Sequence, residues 1–327
     1  MRYRTLGKSG LSISEVSFGA WALGGDFGTV DDAVSKQALE RAVELGVNFF
    51  DTADVYGDGR SERVLGEFKR ASGADILIAT KLGRRSNPHT AESYTLANLT
   101  RYTERSLKNL QLDVLDLVQL HCPPTGIYYM PEVFDALSEL KTRGKLRNYG
   151  VSVERVEEAL KAIEYPEVTS VQIIYNLLRQ RPEELFFSQA KARQVGVLAR
   201  LPLSSGLLAG KLTHESSFEA SDHRNYNRNG EAFDRGETFS GVDFERGLEF
   251  VEALRPLVPE TSTLAEFSMR WILRNDAITA VIPGAKRPDQ VEENVLASEP
   301  DAWPESTLQR LDELYRSSIK PLVHHKW

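Results

Sequence analysis

Residues 47–56 read VNFFDTADVY, a short run through Val47, Phe49 and Phe50 that halts on Asp51, with Tyr56 five positions further on. Continuous β-branched and aromatic runs of this kind mark parallel strands buried on both faces, unlike the alternating pattern of a half-solvated antiparallel sheet. Two more runs halt in the same way, ILIAT (76–80) on Lys81 and LDLVQL (115–120) on His121. In α/β folds the chemistry gathers beyond the carboxyl ends of such strands. Asp51, Tyr56, Lys81 and His121 are therefore the first candidates for one shared site.

Outward from this stretch, strand-like and helix-like runs alternate about every 30 residues, the size of a βαβ unit. EVSFGA (15–20) reads as the first strand, and DDAVSKQALERAVELG (31–46) as the first helix, with Val34, Leu39 and Val43 on one face. Asp31 and Asp32 suit its start and Gly46 its end. The three runs above supply strands two to four, separated by amphipathic SERVLGEFKR (61–70) and SYTLANLTRYTERSLKNL (93–110). LRNYGVS (146–152), TSVQIIYN (169–176), VGVLARL (195–201) and ITAVIPG (278–284) supply strands five to eight. Helices are expected at PEVFDALSELKTRG (131–144), ERVEEALKAIE (154–164), PEELFFSQAKARQ (182–194) and TLAEFSMRWILRND (263–276). Eight alternations without a reversal favour a closed (β/α)8 TIM barrel, with an open doubly wound sheet as the alternative.

Two parts fall outside the repeat. RYRTLG (2–7) and LSISEV (11–16) flank Lys8, Ser9 and Gly10 as an N-terminal β-hairpin, placed to plug the lower end of the barrel. From Leu212 to about Val242 the chain is polar and without periodicity. Connections longer than about 12–15 residues are commonly functional lids, and this one follows strand seven on the face of the candidate site. No Pro, Gly or Ser linker divides residues 1–327, so one domain is expected.

A hydrophobic content of 41% with 27% charged residues fits a globular chain with a substantial core, and a net charge of −7 argues against a nucleic-acid partner. Cys122 is the one cysteine, which excludes an internal disulfide and reads as a small buried hydrophobe. MRYRTLGKSG at the start lacks a signal-peptide core, and no apolar run approaches the roughly 20 residues that span a bilayer. A cytoplasmic protein without membrane partners is the expectation. The six histidines are scattered, and adjacent His324 and His325 form no metal motif, so no metal site is expected.

Singly, Asp51 could cap a helix, Lys81 lie along the surface, Tyr56 anchor a loop and His121 sit satisfied in the core. Three coinciding strand ends outweigh those readings. A Tyr hydroxyl titrates near pH 10; an ammonium beside it lowers that value, and a carboxylate holds the ammonium in place. His121 could then hydrogen-bond a carbonyl oxygen as that oxygen gains charge. No GxGxxG follows a strand, so a Rossmann site is not signalled. VIPGAKRPDQVEEN (281–294), however, passes from strand to helix through Gly284, Lys286 and Arg287, an arrangement suited to a phosphate. A solvated turn with incidental basic residues accounts for it equally well.

NFFDTADVYGDGRSERVLGE (48–67), IATKLG (78–83) and LVQLHCP (117–123) resemble, in order, the segments that carry the catalytic tetrad of the aldo-keto reductase superfamily. FGAWALGG (18–25), YGVS (149–152), VQIIYNLL (171–178), PLSSGLLAGK (202–211) and IPGAKRPDQVEENV (282–295) extend the resemblance over nearly the whole chain. It implies a barrel that binds NADPH without a Rossmann fold and reduces aldehydes or ketones, with Asp51, Tyr56, Lys81 and His121 as the tetrad. It places Ser152 and Gln172 on the nicotinamide carboxamide, and Gly284, Lys286, Arg287, Gln290, Glu293 and Asn294 around the adenosine phosphate and adenine. Gly19, Trp21, Asp51 and the segment with Leu203, Ser205, Gly206 and Leu208 would line the cofactor channel, and Trp21, Tyr56 and His121 would face a carbonyl or sugar-like substrate. Lys286 and Arg287 favour NADP over NAD, since a 2′-phosphate rewards added cations.

Three positions depart from the family pattern. Arg200 stands where many members stack a Tyr on the nicotinamide, a place a flat guanidinium can also take. Val153 replaces a frequent Asn, and Gln290 replaces an arginine, as in branches with a long loop after strand seven. Related barrels also serve as cofactor-bound, redox-sensing partners of membrane channels, and a sugar dehydrogenase is a third reading. Trp21, Phe27, Tyr56, Tyr128, Tyr129 and Trp327 are candidates for an aromatic substrate pocket.

Overall fold

The computed structural model describes residues 1–25, 31–299 and 303–327. Phe27 lies outside them. The chain opens with a hairpin, β1 (Tyr3–Thr5) and β2 (Ser12–Ser14), paired antiparallel with Thr5 opposite Ser12. Parallel strands follow: β3 (Phe18–Gly19), β4 (Phe49–Asp51), β5 (Leu77–Leu82), β6 (Leu115–His121), β7 (Leu146–Ser152), β8 (Val168–Ile174), β9 (Gly196–Arg200) and β10 (Ile278–Ile282). Each pairs with the next in chain order. Parallel bridges from Val16 to Val281 and from Gly19 to Gly284 join the first of them to the last. That seam, sealed where Gly19 N donates to Pro283 O at 2.9 Å, makes the sheet a closed barrel and disposes of the open-sheet alternative.

Between the strands run α1 (Asp32–Glu44), α2 (Arg60–Ser72), α3 (Leu96–Leu110), α4 (Pro131–Thr142), α5 (Val156–Ala162) and α6 (Phe186–Ala192). Local chemistry sets their ends. Asp31 caps α1 by accepting from the amides of Ala33 and Val34, while Asp32 lies inside the first turn and pairs with Arg60. After β9 come α7 (His223–Tyr226), α8 (Phe244–Leu254) and α9 (Leu264–Leu273), the last begun by a reciprocal Thr263–Glu266 capping box. α10 (Pro288–Val295), α11 (Glu305–Leu314) and α12 (Lys320–Val323) complete the chain. No helix among the described residues is long and apolar enough to cross a membrane.

The inside of the barrel is layered along each strand. Phe49, Ala79, Leu117, Leu198 and Ala280 form one apolar layer, closed from beneath by Leu6 and Ile13 of the hairpin. This is the plug expected from the sequence. Burial of each large member stabilises the layer by about 1.5–3 kcal/mol. Alternate strand residues share a face, so two positions further along the inward residues are Asp51, Lys81, Gln119 and Arg200. An apolar floor thus carries a polar ceiling, and the strand ends deliver their titratable groups to one mouth.

Candidate active site

Lys81 is 1% exposed and gives its ammonium to Asp51 Oδ1 and, at 2.9 Å, to the carbonyl of Thr52. The Tyr56 hydroxyl lies 3.4 Å from the same nitrogen. Asp51 Oδ2 accepts from Gln172 at 2.8 Å and from Gln119 at 3.4 Å, so the carboxylate is held from both sides. The His121 ring stands edge-on to Tyr56 with centroids 5.9 Å apart, and Trp21 stacks on the other side of Tyr56 at 5.8 Å. The four expected residues do converge.

Burial modifies the electrostatics expected from sequence. It pushes the Tyr56 phenol up, and the opposing pull of Lys81 does not overcome it, so the net shift is upward from the ordinary value of 10.0. The expectation that Lys81 lowers this pKa below normal is therefore corrected: Tyr56 is a neutral phenol with its proton in place. Burial would also push the Lys81 ammonium down, yet Asp51 and Tyr56 outweigh it and raise it. His121 is driven well below its usual 6.5, first by burial and then by Arg84 and Lys81, and is a neutral imidazole. Its Nδ1 is buried without a partner. Its Nε2 lies 3.5 Å from Arg84 Nη1, and because a guanidinium can only donate, Nε2 is the acceptor of that contact.

Beside the tetrad lies a second charged group, of which the sequence announced only Arg200. Glu237, from the loop after β9, takes Arg84 Nη1 at 2.8 Å and Arg200 at 3.8 Å. Arg200 also binds Glu154 at 2.9 Å and the Val153 carbonyl at 3.1 Å. Burial and then the neighbourhood of Glu237, partly offset by Arg200, lift the Glu154 carboxyl to about 8, whereas Arg84 and Arg200 hold Glu237 far below the usual carboxylate range despite its burial. Cys122 is half-buried, 3.7 Å from both Ser152 Oγ and Arg200, and burial raises its thiol well above normal. Arg84 and Glu154 follow Lys81 and Ser152 by three and two residues, a proximity to strand ends that could have flagged them. Glu237 had no such signal.

Asp51, Tyr56, His121, Arg84, Arg200 and Glu237 line one cavity of about 530 Å³, within the range of small-molecule sites, whereas Lys81, Glu154 and Cys122 do not border it. Of the expected positions, Gly19, Trp21, Asp51, Tyr56, His121, Ser152, Gln172, Arg200, Leu203, Ser205, Gly206, Gly284, Lys286 and Gln290 border it. Leu208 is fully buried behind the wall, Arg287 turns onto Asp289 at 2.9 Å, and Glu293 pairs with Lys211 at 2.9 Å. Asn294 Nδ2 reaches the Gly284 carbonyl at 3.5 Å. The aromatic wall is built from Trp21, Phe233 and Tyr226. Tyr128 is instead packed in the core, Tyr129 is 64% exposed, and Trp327 binds Asp234 at 2.8 Å, so none of these three borders the cavity.

The far end of the cavity fits an extended dinucleotide. Open space lies where a Cβ of Gly284 would stand, and the Lys286 amide is fixed by Gln290 Oε1 at 2.9 Å just before α10. Backbone can therefore approach a flat ligand there, beside a lysine and the start of a helix. The segment from Leu212 to Val242, expected as a lid, is folded onto the mouth. It contains α7 and turns at Arg235–Glu237 and Phe239–Gly241. Asn176 anchors it at Ser240 Oγ, 2.9 Å away, and also donates to the Leu201 carbonyl just after β9 at 2.8 Å.

Sequence and structure comparisons agree with this geometry. The model of the aldo/keto reductase family matches residues 15–316. The Bacillus subtilis (strain 168) oxidoreductase YqkF is 31% identical over 98% of this chain and 98% of its own length. A probable voltage-gated potassium channel subunit beta of Arabidopsis thaliana is 31% identical over 91% of both chains. The holo form of aldo-keto reductase AKR11C1 from Bacillus halodurans superposes with a TM-score of 0.78 at 27% identity, over 99% of each chain. The chain belongs to the aldo/keto reductase family. It is an oxidoreductase.

Proposed function

We propose that this NADP(H)-dependent oxidoreductase, acting as one domain over residues 1–327, reduces aldehydes or ketones to alcohols with Tyr56 as the proton donor. The supporting observation is the Tyr56 hydroxyl 3.4 Å from Lys81, on a cavity wall shared with His121. Reduced nicotinamide, when bound, supplies the hydride. Tyr56 donates its phenolic proton to the carbonyl oxygen, and the Lys81 ammonium stabilises the phenolate left behind. Asp51 keeps that ammonium charged and aimed. Neutral His121 would carry its one proton on Nε2 once a carbonyl oxygen takes the place of the Arg84 contact, so growing negative charge would meet a donor there.

Ser152 and Gln172 would hold the carboxamide and thereby orient the ring. Arg200, fixed by Glu154 and the Val153 carbonyl, replaces the stacking tyrosine of other members. Lys286 and Gln290 would take the adenosine end, with Arg287, Glu293 and Asn294 set back from the cavity beside them. A complete tetrad favours turnover over the regulatory-subunit reading, because a binding module has no need of a proton donor. The test is Tyr56→Phe, assayed by NADPH absorbance against a panel of aldehydes, ketones and sugars. Turnover should fall by roughly 10²–10⁴-fold while NADPH still quenches intrinsic fluorescence. Unchanged turnover would remove Tyr56 from the role.

A further inference from the structure

The carbonyl-binding corner is more cationic than the reduction of a neutral aldehyde requires. Gly83, with φ of 102°, turns the chain just after β5, and a Cβ there would lie 2.6 Å from the Tyr94 ring. That turn sends Arg84 over the mouth, where its guanidinium packs against the Phe233 ring at 5.1 Å. Arg84 Nη1 ends 3.5 Å from His121 Nε2. The guanidinium and the imidazole edge thus face the same space. Glu237 meets the guanidinium at Nη1 only, and its other N–H groups bond no described residue. A guanidinium presents five N–H donors in a fork suited to an oxyanion.

Charge counting points the same way. Arg84 and Arg200 share Glu237, while Glu154, the other acid in the corner, retains its proton at neutral pH. One positive charge is left over. Arg224 also lines the cavity, where it is bound to Asp222 at 2.6 Å. A carbonyl oxygen hydrogen-bonded at about 2.9 Å to His121 Nε2 would put the neighbouring carbons of the substrate beside Arg84.

Building on the reductase reading, we propose that Arg84 recognises an oxyanion on the substrate, and that the preferred substrates are short carbonyl compounds bearing a carboxylate or phosphate one to three carbons from the carbonyl. The anion displaces Glu237 from Arg84 or shares it, leaving Arg200 to hold Glu237. Packing of the Phe233 ring against the guanidinium lowers the local dielectric and strengthens the contact.

The experiment compares two matched pairs with NADPH: glyceraldehyde against glyceraldehyde 3-phosphate, and propionaldehyde against succinic semialdehyde. Turnover of the neutral members tests the reductase reading by itself. Its absence with every substrate would sink that reading and this inference together. Given turnover, the inference requires kcat/KM for at least one anionic member to exceed its neutral partner by roughly tenfold or more. Which pair shows it identifies phosphate or carboxylate. In Arg84→Met that ratio should collapse towards one, chiefly through KM; Arg84→Lys should restore part of it; and Glu237→Gln should increase it. A purely structural latch between Arg84 and Glu237 would lower both members alike and leave the ratio unchanged, which overturns the proposal. A wild-type ratio near one overturns it without any variant.

Discussion

Among single residues, Tyr56 and Lys286 answer for different halves of the cavity. Lys286 borders its far end, before the first turn of α10. Lys286→Ala should weaken NADPH by about tenfold, the scale of one charge-assisted hydrogen bond of about 1.5 kcal/mol, with NADH nearly unaffected; equal losses in titrations of the two coenzymes would remove the 2′-phosphate assignment. The tetrad was legible because strand ends and residue types coincide within the sequence. Arg84–Glu237 was not, since the partners are 153 residues apart and Glu237 stands in a stretch without periodicity. Nor could residue types reveal which way Tyr56 titrates. Its neighbours are visible in the sequence, but the depth of its burial is a property of the folded mouth.

The individual elements show where patterning speaks and where it falls silent. Each of the eight barrel strands announced itself as a short apolar run; β4 and β6 end on the residues expected, and β5 runs one residue past Lys81 to Leu82. α8 did not, because FERGLEFVEAL adjoins a polar loop and has no strand of its own to follow, and α11 and α12 lie beyond the eighth repeat. The lid was legible as a long connection, but its anchoring by Asn176, and by Arg179 donating to the Ser240 carbonyl at 3.5 Å, was not. Helix packing supplies a sharper test. Gly66 of α2 faces the backbone of Leu110 in α3, and a Cβ there would stand 2.4 Å from the Leu110 carbonyl oxygen. Gly66→Ala should cost roughly 1–3 kcal/mol, read as a lowered urea midpoint, although alanine is the better helix former. A neutral or stabilising outcome would mean that the two helices separate without penalty.

For the molecule as a whole, the cluster of half-buried Arg84 and Glu154 with buried Arg200 and Glu237 links stability to pH. Glu154 titrates near 8 in the folded chain against 4.5 for an ordinary glutamate, so between those values the native state holds one more proton than the unfolded state. Stability from this group therefore declines as pH rises across that window. Glutamine mimics the protonated acid. The melting temperature of Glu154→Gln relative to wild type should climb from pH 5 to pH 8 and level off above it; a difference independent of pH would show that Glu154 ionises normally. Barrel closure was readable from the unbroken alternation, whereas this cluster assembles only when β5, β7, β9 and the lid meet.

Trp327 gives the whole arrangement an unexpected dependence. Its indole binds Asp234 at 2.8 Å and stacks on Arg179 at 4.1 Å, while its carbonyl holds Arg181 at 2.6 Å. Asp234 is three residues from Glu237 and adjacent to Phe233, so the far tail buttresses the segment that roofs the cavity. Fraying of the final helix would slacken the roof before the barrel itself yields, and catalysis would fade on heating ahead of unfolding.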